Sequence, residues 1–566
     1  KIRLHLAEYS QRNRPGIHDE DSLLKFIESL SIRFDRLERR KKYQLVSDRI
    51  DDPYFNISTN LHLKSSCEVQ FDVTTDLMKV QINTVGGDIR SIDLLKYTDY
   101  DDTSKPYQFL MSDNNRVFVA QTGLISPNDN LQLPTHKTVF TAETTSYQLK
   151  DNQNEVVVTL NAENAEGVKV TKTYTFTRGS YAVKVGFKID NASNAAIDPW
   201  IYYQIVHDSE SNQGTKMMPT FTGAAYFTDA DKYKKVKFTE MAKEDLSKNA
   251  KDGWIGLVQH YFVSAWIPAT NQAREFYTNK LGDKVFAIGA KSSLGMIAPG
   301  ASKEVSADLY MGPQTHDELV KTAPGLEYTV DYGWLTFIAS PLFMVLSAIN
   351  SLVHNWGVAI ILLTILIKLA FYPLSAAGYR NMAQMRELAP RLQSMKEKFG
   401  DDRQKMQQAM MELYKKEKIN PMGGCLPILI QIPVFISLYW MLLGSVEMRH
   451  APFMLWIQDL SAPDTLFGSL PEWLPLLGGM PIGLLPILMA ATMLIQTKLN
   501  PKPTDPVQAK VMLIMPIVFS IFFFFFPAGL VLYWLVNNIL SIAQQARINH
   551  LIHAGALTKK KGHAGK

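Results

Sequence analysis

The sequence contains few of the residues and motifs that mark catalysis or metal binding. Its 566 residues include two cysteines, Cys67 and Cys425, which lie far apart, so neither a disulfide framework nor a Cys-x-x-Cys metal site is expected. Phosphate-binding glycine loops, dinucleotide-binding Gly-x-Gly-x-x-Gly, His-Glu-x-x-His and Gly-x-Ser-x-Gly are also missing. We therefore expect no catalytic residues, no metal and no cofactor.

Long apolar runs are absent from the first 330 residues. Residues 1–67 are charged and poorly patterned, with no stretch of about 18 apolar residues that would make a membrane span and no secretory signal. We interpret them as an atypical charged arm, solvated or disordered. The formal net charge of +5 is a mild excess, and no specific binding to nucleic acid is expected from it.

Residues 68–330 show the alternation of apolar and polar residues that is typical of β-strands. Two such stretches, 168–176 and 183–189, flank the turn residues Arg178, Gly179 and Ser180, which predicts a β-hairpin. Many short strands with turn signals between them predict a soluble all-β domain of the sandwich type.

The character of the sequence changes near residue 331. Residues 331–354 are apolar but interrupted by Pro341 and several polar residues, which favours an amphipathic helix in the membrane interface. Residues 355–379 are denser in Ile and Leu and predict a membrane span. Two spans joined at His354 and Asn355 remain the alternative.

Charged and apolar segments then alternate. Residues 380–422 carry ten Lys and Arg and two amphipathic stretches around Gly400-Asp401-Asp402, which predicts a helical hairpin in water, with Gly ending one helix and Asp capping the next. Four further spans are predicted within 423–546, followed by a basic tail at 547–566. The fold class is thus a membrane α-helical bundle of five spans plus the β domain.

The distribution of Lys and Arg orients this bundle. The hairpin, the loop at 498–510 and the tail are basic, and cytoplasmic segments carry the excess of Lys and Arg. The loop at 447–479 is acidic and is predicted outside, and so is the β domain. This topology calls for a membrane anchor before the β domain, and residues 1–67 do not supply one; a mis-called start in its place is one explanation.

Lys368 is the one formal charge between residues 333 and 379. A lysine at the centre of a membrane helix costs about 2.5–3.5 kcal/mol. On an ideal helix it lies about 18 Å from Arg380, too deep to snorkel unless Pro373 kinks the helix. No Asp or Glu occurs in the predicted spans, so we expect Lys368 to face a hydrated cavity open to the cytoplasm, lined by Thr364 one turn earlier and by Gln431 in the next span.

Two other functions would leave different marks in the sequence. A transporter or channel with an intramembrane Lys predicts paired titratable groups at depth and internal repeats, and neither is visible. A carbohydrate-acting enzyme predicts clustered His and carboxylates in the β domain, where His260 beside Tyr261 is the nearest hint.

Four long segments of the chain are distinctive. They are INTVGGDI (82–89), FTRGSYAVKV (176–185), NWGVAIILLTILIKLAFYPLSAAGY (355–379) and FPAGLVLYWLVNNILSIAQQ (526–545). Through such segments, from about residue 72 to 550, the chain resembles the YidC family of membrane protein insertases, of the gram-negative type with a large periplasmic domain.

The resemblance implies a β-supersandwich domain in the periplasm and a multi-pass protein of the cell inner membrane. It implies an insertase and chaperone, not an enzyme, that inserts, folds and helps assemble membrane proteins alone or with the Sec translocon. The implied partners are nascent membrane proteins, the Sec translocon with its accessory subunits, the ribosome through the basic tail and the cytoplasmic hairpin, and membrane lipids.

The resemblance also implies a hydrophilic groove that holds a cation, usually Arg in the family and Lys368 here. Thr364 matches the groove threonine and Trp534 an aromatic groove position. The positions that meet the apolar part of the substrate are matched by Ile432, Pro433, Phe435 and Phe522. The chain departs from the family in residues 1–67 and in a loop at 464–482 that is longer than is typical.

Overall fold

The computed structural model describes residues 69–553, except 101, 114–115, 128–130, 211–219, 401, 418–425, 472, 475–477 and 501–505. The predicted arm at 1–67 lies outside the described residues, as does most of the basic tail. The described chain consists of a β domain up to about residue 330 and a helical region after it.

The β domain contains two large sheets. One has ten strands in the order β14-β17-β18-β11-β5-β4-β3-β2-β1-β7, and the other has nine in the order β13-β12-β15-β16-β19-β10-β9-β8-β6. The strands are β1 (Gln70–Thr74), β2 (Met78–Asn83), β3 (Asp88–Thr98), β4 (Pro106–Ser112), β5 (Val117–Ile125), β6 (Thr141–Ala142), β7 (Ser146–Gln148), β8 (Glu155–Glu163), β9 (Val168–Thr177), β10 (Ala182–Asn191), β11 (Trp200–His207), β12 (Gly223–Thr228), β13 (Lys232–Lys237), β14 (Ser247–Ala250), β15 (Trp254–Val258), β16 (Phe262–Pro268), β17 (Arg274–Lys280), β18 (Phe286–Ser293) and β19 (Ser302–Pro313).

A single apolar core joins the inward faces of both sheets. The predicted hairpin is confirmed, because β9 and β10 pair antiparallel with Val185 opposite Tyr174. Its turn contains Gly179 at φ +71°, a conformation that glycine adopts without a steric penalty. The β-rich soluble domain predicted from alternation is thus present.

A buried ion pair links the two sheets. Lys172 of β9 lies on the core face, its side chain fully buried, with Nζ 3.2 Å from Oδ1 of Asp88 at the start of β3. The same ammonium donates to the carbonyl of Gly86 at 3.0 Å and lies over the rings of Tyr174 and Phe187. The charge is therefore neutralised and hydrogen-bonded inside the core, as buried charges require.

Among the described residues, the helices begin with two short ones in the β domain and continue as the helical region. They are α1 (Phe238–Met241), α2 (His316–Thr322), α3 (Thr336–Val353), α4 (Trp356–Ala370), α5 (Tyr372–Phe399), α6 (Arg403–Glu417), α7 (Leu426–Gly444), α8 (Leu484–Leu499), α9 (Pro506–Phe523) and α10 (Ala528–His553). Helices α3, α4, α7, α8 and α10 share a second apolar core.

Helices α3 and α4 are separated at the predicted junction. His354 ends α3 in the left-handed conformation, φ 52°, a common way for a helix to stop. The Asn355 side chain then accepts from the N–H of Val358 at 3.0 Å, which caps the start of α4.

The predicted span at 355–379 is not one straight helix. It breaks between α4 and α5, whose axes differ by 67°. Pro373 lies in the first turn of α5, where proline is tolerated because that N–H has no partner inside the helix. The depth of Lys368 inferred from an ideal helix is therefore wrong, and the kink considered at Pro373 is the arrangement observed.

The hairpin predicted at 380–422 is formed by α5 and α6. Gly400 follows α5 at φ +56°, and Oδ1 of Asp402 accepts from the N–H of Lys405 at 3.1 Å, so the predicted stop and cap are confirmed. Leu388 and Tyr414 are the buried contacts between the two helices.

Few helices meet a membrane-span criterion on their own. Within the described ranges, the segment Gly333–Val353 is long and apolar enough, and the bent pair α4 and α5 is a second if counted as one span. Three shorter apolar helices, Leu429–Gly444, Leu484–Leu499 and Lys510–Phe523, accompany them. Length and composition thus give fewer than the five predicted spans, and the placement of 331–354 in the interface stays a prediction.

Candidate substrate groove

The last turn of α4 directs Lys368 toward α10. The Lys368 side chain is 8% exposed, and its Nζ donates to Oγ of Ser541 at 2.8 Å. The Ser541 hydroxyl in turn donates to the carbonyl of Asn537 one turn earlier, at 2.7 Å. The ammonium therefore has a hydroxyl partner.

Next to Ser541 lies a cavity of about 320 Å³ between α5, α7, α8 and α10. As far as the described residues go, its lining combines amides, hydroxyls and aromatic rings with no charged side chain. It includes Gln431, Ile432, Phe435, Trp534, Asn537 and Ser541. A polar, roomy site of this kind can hold water, which is the environment an unpaired cation needs.

The predicted site residues fall into two groups. Gln431, Ile432, Phe435 and Trp534 all line the cavity. The ring of Phe435 meets that of Trp534 edge-on at 4.6 Å, so α7 and α10 form one continuous aromatic wall.

The other predicted residues do not line the cavity. Lys368 is one of them: it does not face the cavity directly, as was expected, and is connected to it through Ser541. Thr364 is 1% exposed and its hydroxyl donates to the carbonyl of Ile360 in its own helix at 2.7 Å. Pro433 lies inside α7, where its missing N–H leaves a backbone carbonyl free, and Phe522 is 46% exposed on α9.

Several polar residues of the cavity were missed from the sequence. They lie on α5, α8 and α10 or, for Asn500, directly after α8, and are Tyr379, Gln496, Thr497, Asn500, Asn537, Asn538 and Ser541. The available signal was periodicity: Asn537 and Ser541 are four residues apart and so share a helix face. Polar residues on one face of an apolar helix indicate a hydrated or helix-contacting surface.

His260, the nearest hint of carbohydrate chemistry, has a different role in the structure. Its Nε2 lies 2.9 Å from the carbonyl oxygen of Leu443 at the end of α7, and burial lowers the pKa of His260 to about 4. No group of three or more His, Cys, Asp or Glu that could hold a metal occurs among the described residues.

The comparisons with known proteins cover both parts of the chain. Residues 70–345 match the family model for the YidC periplasmic domain, and residues 348–555 match the model for the 60Kd inner membrane protein. The membrane protein insertase YidC of Methylobacillus flagellatus is 63% identical over 508 residues, covering 89% of this chain and 88% of that protein. The protein of the same name from Nitrosospira multiformis is 51% identical, covering 86% and 83%.

A crystal structure of active YidC insertase with the first transmembrane domain resolved has 17% sequence identity and a TM-score of 0.37, covering 85% of this chain and 92% of that one. The assignment therefore rests on the sequence matches. They define the class as an inner-membrane protein insertase with a periplasmic domain. The chain belongs to the YidC family.

Proposed function

We propose that the cavity beside Lys368 is the groove through which this insertase receives membrane segments of nascent proteins. The observation that carries the proposal is a buried ammonium that donates to Ser541, a residue of a polar cavity also bordered by Ile432, Phe435 and Trp534. An ammonium without a carboxylate partner attracts acidic or polar parts of a passing chain. The apolar wall next to it offers a contact for the hydrophobic part.

The same proposal extends to partners and topology. The chain inserts, folds and assembles membrane proteins alone or with the Sec translocon, as a chaperone as well as an insertase. Its bundle spans the inner membrane five times, with the β domain in the periplasm and Lys368, Thr364, Pro433 and Phe522 as further groove and slide positions. The basic α5–α6 hairpin and the basic tail contact the ribosome, because Lys and Arg bind phosphate-rich surfaces, and the apolar helices contact lipid.

Substitution of Lys368 tests the groove. In proteoliposomes that contain the full chain but no Sec translocon, Lys368→Ala removes the cation, and we expect insertion of a small substrate with an acidic periplasmic segment to fall at least about tenfold. Lys368→Arg keeps the charge and should keep most of the insertion. A substrate whose acidic residues are replaced by Asn or Gln should lose its sensitivity to Lys368→Ala. Equal insertion by Lys368→Ala and the parent chain would refute the docking role.

A further inference from the structure

The segment that follows α7 reaches into the β domain. Val446 begins a short turn, Val446–Met448, directly after the helix. Its side chain is 1% exposed and belongs to the apolar core of the β domain rather than to that of the bundle. The chain directly after α7 is therefore inserted into the core of the β domain at Val446 and not merely adjacent to it.

His260 of the β domain caps this end of α7. The last carbonyls of a helix have no partner inside it, and Nε2 of His260 donates to that of Leu443 at 2.9 Å. The His260 ring stacks on Tyr261 at 3.8 Å, which fixes its direction. Because burial lowers the pKa of His260 to about 4, the ring is neutral at physiological pH, and a carbonyl partner requires the proton on Nε2.

Arg449 makes the second contact. Its guanidinium lies 4.7 Å from the ring centre of Tyr107 and 5.6 Å from that of Phe262, and these two rings stack on each other at 4.5 Å. Arg449 is 8% exposed. A planar cation over the buried ring of Phe262 and the half-buried ring of Tyr107 is a cation–π contact shielded in part from water.

We propose that the β domain positions the groove helix α7 through this socket, which comprises His260, Tyr107 and Phe262. Helix α7 carries Gln431, Ile432 and Phe435 on its inner part and ends in the socket. Phe435 lies on the socket side of Pro433, and the backbone hydrogen bonds from there to Leu443 make this part of α7 stiff, so a shift at the socket reaches Phe435. His260 and Arg449 are thus positioning residues, a role that rests on the proposed function of the cavity as the groove.

Two substitutions of His260 distinguish the contribution of its hydrogen bond to Leu443 from that of its ring, which stacks on Tyr261. His260→Phe keeps an aromatic ring on Tyr261 and removes the donor, whereas His260→Gln keeps an N–H where Nε2 stood. Spin labels are attached at Leu429→Cys of α7 and Ile539→Cys of α10, both at least half exposed, in a full-length chain with Cys67→Ser and Cys425→Ser. Double electron–electron resonance spectroscopy of the labelled protein in proteoliposomes then gives the distribution of the distance between α7 and α10.

We expect His260→Phe to broaden this distribution and to lower the insertion rate about threefold to tenfold, the range that corresponds to one lost hydrogen bond. His260→Gln should restore both. Arg449→Lys, which keeps the charge without the planar fork, should give an intermediate broadening. Arg178→Ala, in the exposed hairpin turn of the same domain, serves as the control and should leave both readouts unchanged.

An unchanged distance distribution in His260→Phe would overturn the proposal, whatever happens to insertion. A failure of the groove itself is distinguishable, because it appears as insertion that is insensitive to Lys368→Ala while the distance distribution still responds to His260→Phe.

Discussion

Two buried lysines, one in each region of the molecule, are held in opposite ways. Lys172 in the β domain has a carboxylate at 3.2 Å, a carbonyl at 3.0 Å and aromatic rings around it. Lys368 in the bundle has a hydroxyl at 2.8 Å and a neutral polar cavity nearby. A cation whose charge is neutralised locally contributes to the structure, whereas one without a counter-ion remains available to a partner from outside.

This difference also separates the two regions in their tolerance of change. The β domain has both partners of its charge pair in a closed core, so removal of either leaves an unpaired charge that water cannot reach. In the bundle, the partner of Lys368 is the neutral hydroxyl of Ser541. Removal of the Lys368 charge therefore leaves no unpaired charge behind.

The largest effect is expected in the β domain. Lys172→Met leaves Asp88 unpaired, and Asp88→Asn leaves Lys172 unpaired, so each should lower the free energy of unfolding of this domain by about 3–5 kcal/mol. The double variant should recover most of the loss. Urea unfolding of the full chain, followed by fluorescence of the buried Trp254 and Trp266, measures it. Single variants within about 1 kcal/mol of the parent would mean that the pair is not a buried structural contact.

In the bundle, we expect a substitution of the buried lysine to change the free energy of unfolding less, and in the opposite direction. Lys368→Met removes a buried charge without orphaning a carboxylate, and the Ser541 hydroxyl keeps its bond to Asn537. The free energy of unfolding of the helical region should rise by about 1–3 kcal/mol, even though insertion is lost. Loss of helical circular dichroism on titration with a denaturing detergent measures the change. A destabilisation comparable to that of Asp88→Asn would remove the contrast between the two lysines.

The smallest effect lies at the boundary between the two regions. Burial raises the pKa of Glu447 from 4.5 to about 7, and Asp317 adds to the shift. The folded chain then holds a proton that the unfolded chain has released, so stability falls as pH rises from 4.5 to about 7. We expect the contact of Val446–Met448 with the β domain to be weaker at pH 8 than at pH 5, by about 2 kcal/mol or less.

Hydrogen exchange of the Val446–Met448 amides at the two pH values measures this, after correction for the intrinsic rate. Glu447→Gln should abolish the difference, and Glu143→Gln, at an exposed position of the β domain, should not. Burial lowers the pKa values of His207 and His260 to about 4, so these residues make stability rise with pH. This contribution is the same in the parent chain and in Glu447→Gln, and it cancels when the two are compared. Equal pH dependence in both chains would show that Glu447 is already ionised in the fold.

Local patterns predicted the parts of the fold that depend on neighbours in sequence. The β9–β10 hairpin followed from alternation and a glycine turn, and the α5–α6 turn followed from Gly400 and Asp402. The same alternation places Lys172 on the core face between Val170 and Tyr174, yet a lysine in a strand suggests the solvent face. The charge of Asp88, distant in sequence, makes its burial possible, and no local pattern reveals that pairing.

The candidate groove, like the fold, could be predicted only in part. Gln431 and Trp534 were expected in the groove, and Ile432 and Phe435 at positions that meet the apolar part of the substrate. All four line the cavity, whereas Lys368 reaches it only through Ser541. The direct partner of Lys368, Ser541, was not found, because a serine in an apolar helix is compatible with several roles. His260 binds a carbonyl 183 positions away in the chain, and such a contact depends on how the two regions pack.

The break between α4 and α5 has a consequence for the cation that precedes it. It makes Lys368 a residue of the last turn of α4 rather than of the middle of a long span. The aligned peptide dipoles of a helix place a partial negative charge, about half an elementary charge, at its C-terminus. The bend therefore lets the backbone alone supply part of the electrostatic compensation that a carboxylate would otherwise provide. This compensation requires no ion pair, so the ammonium can still interact with another group.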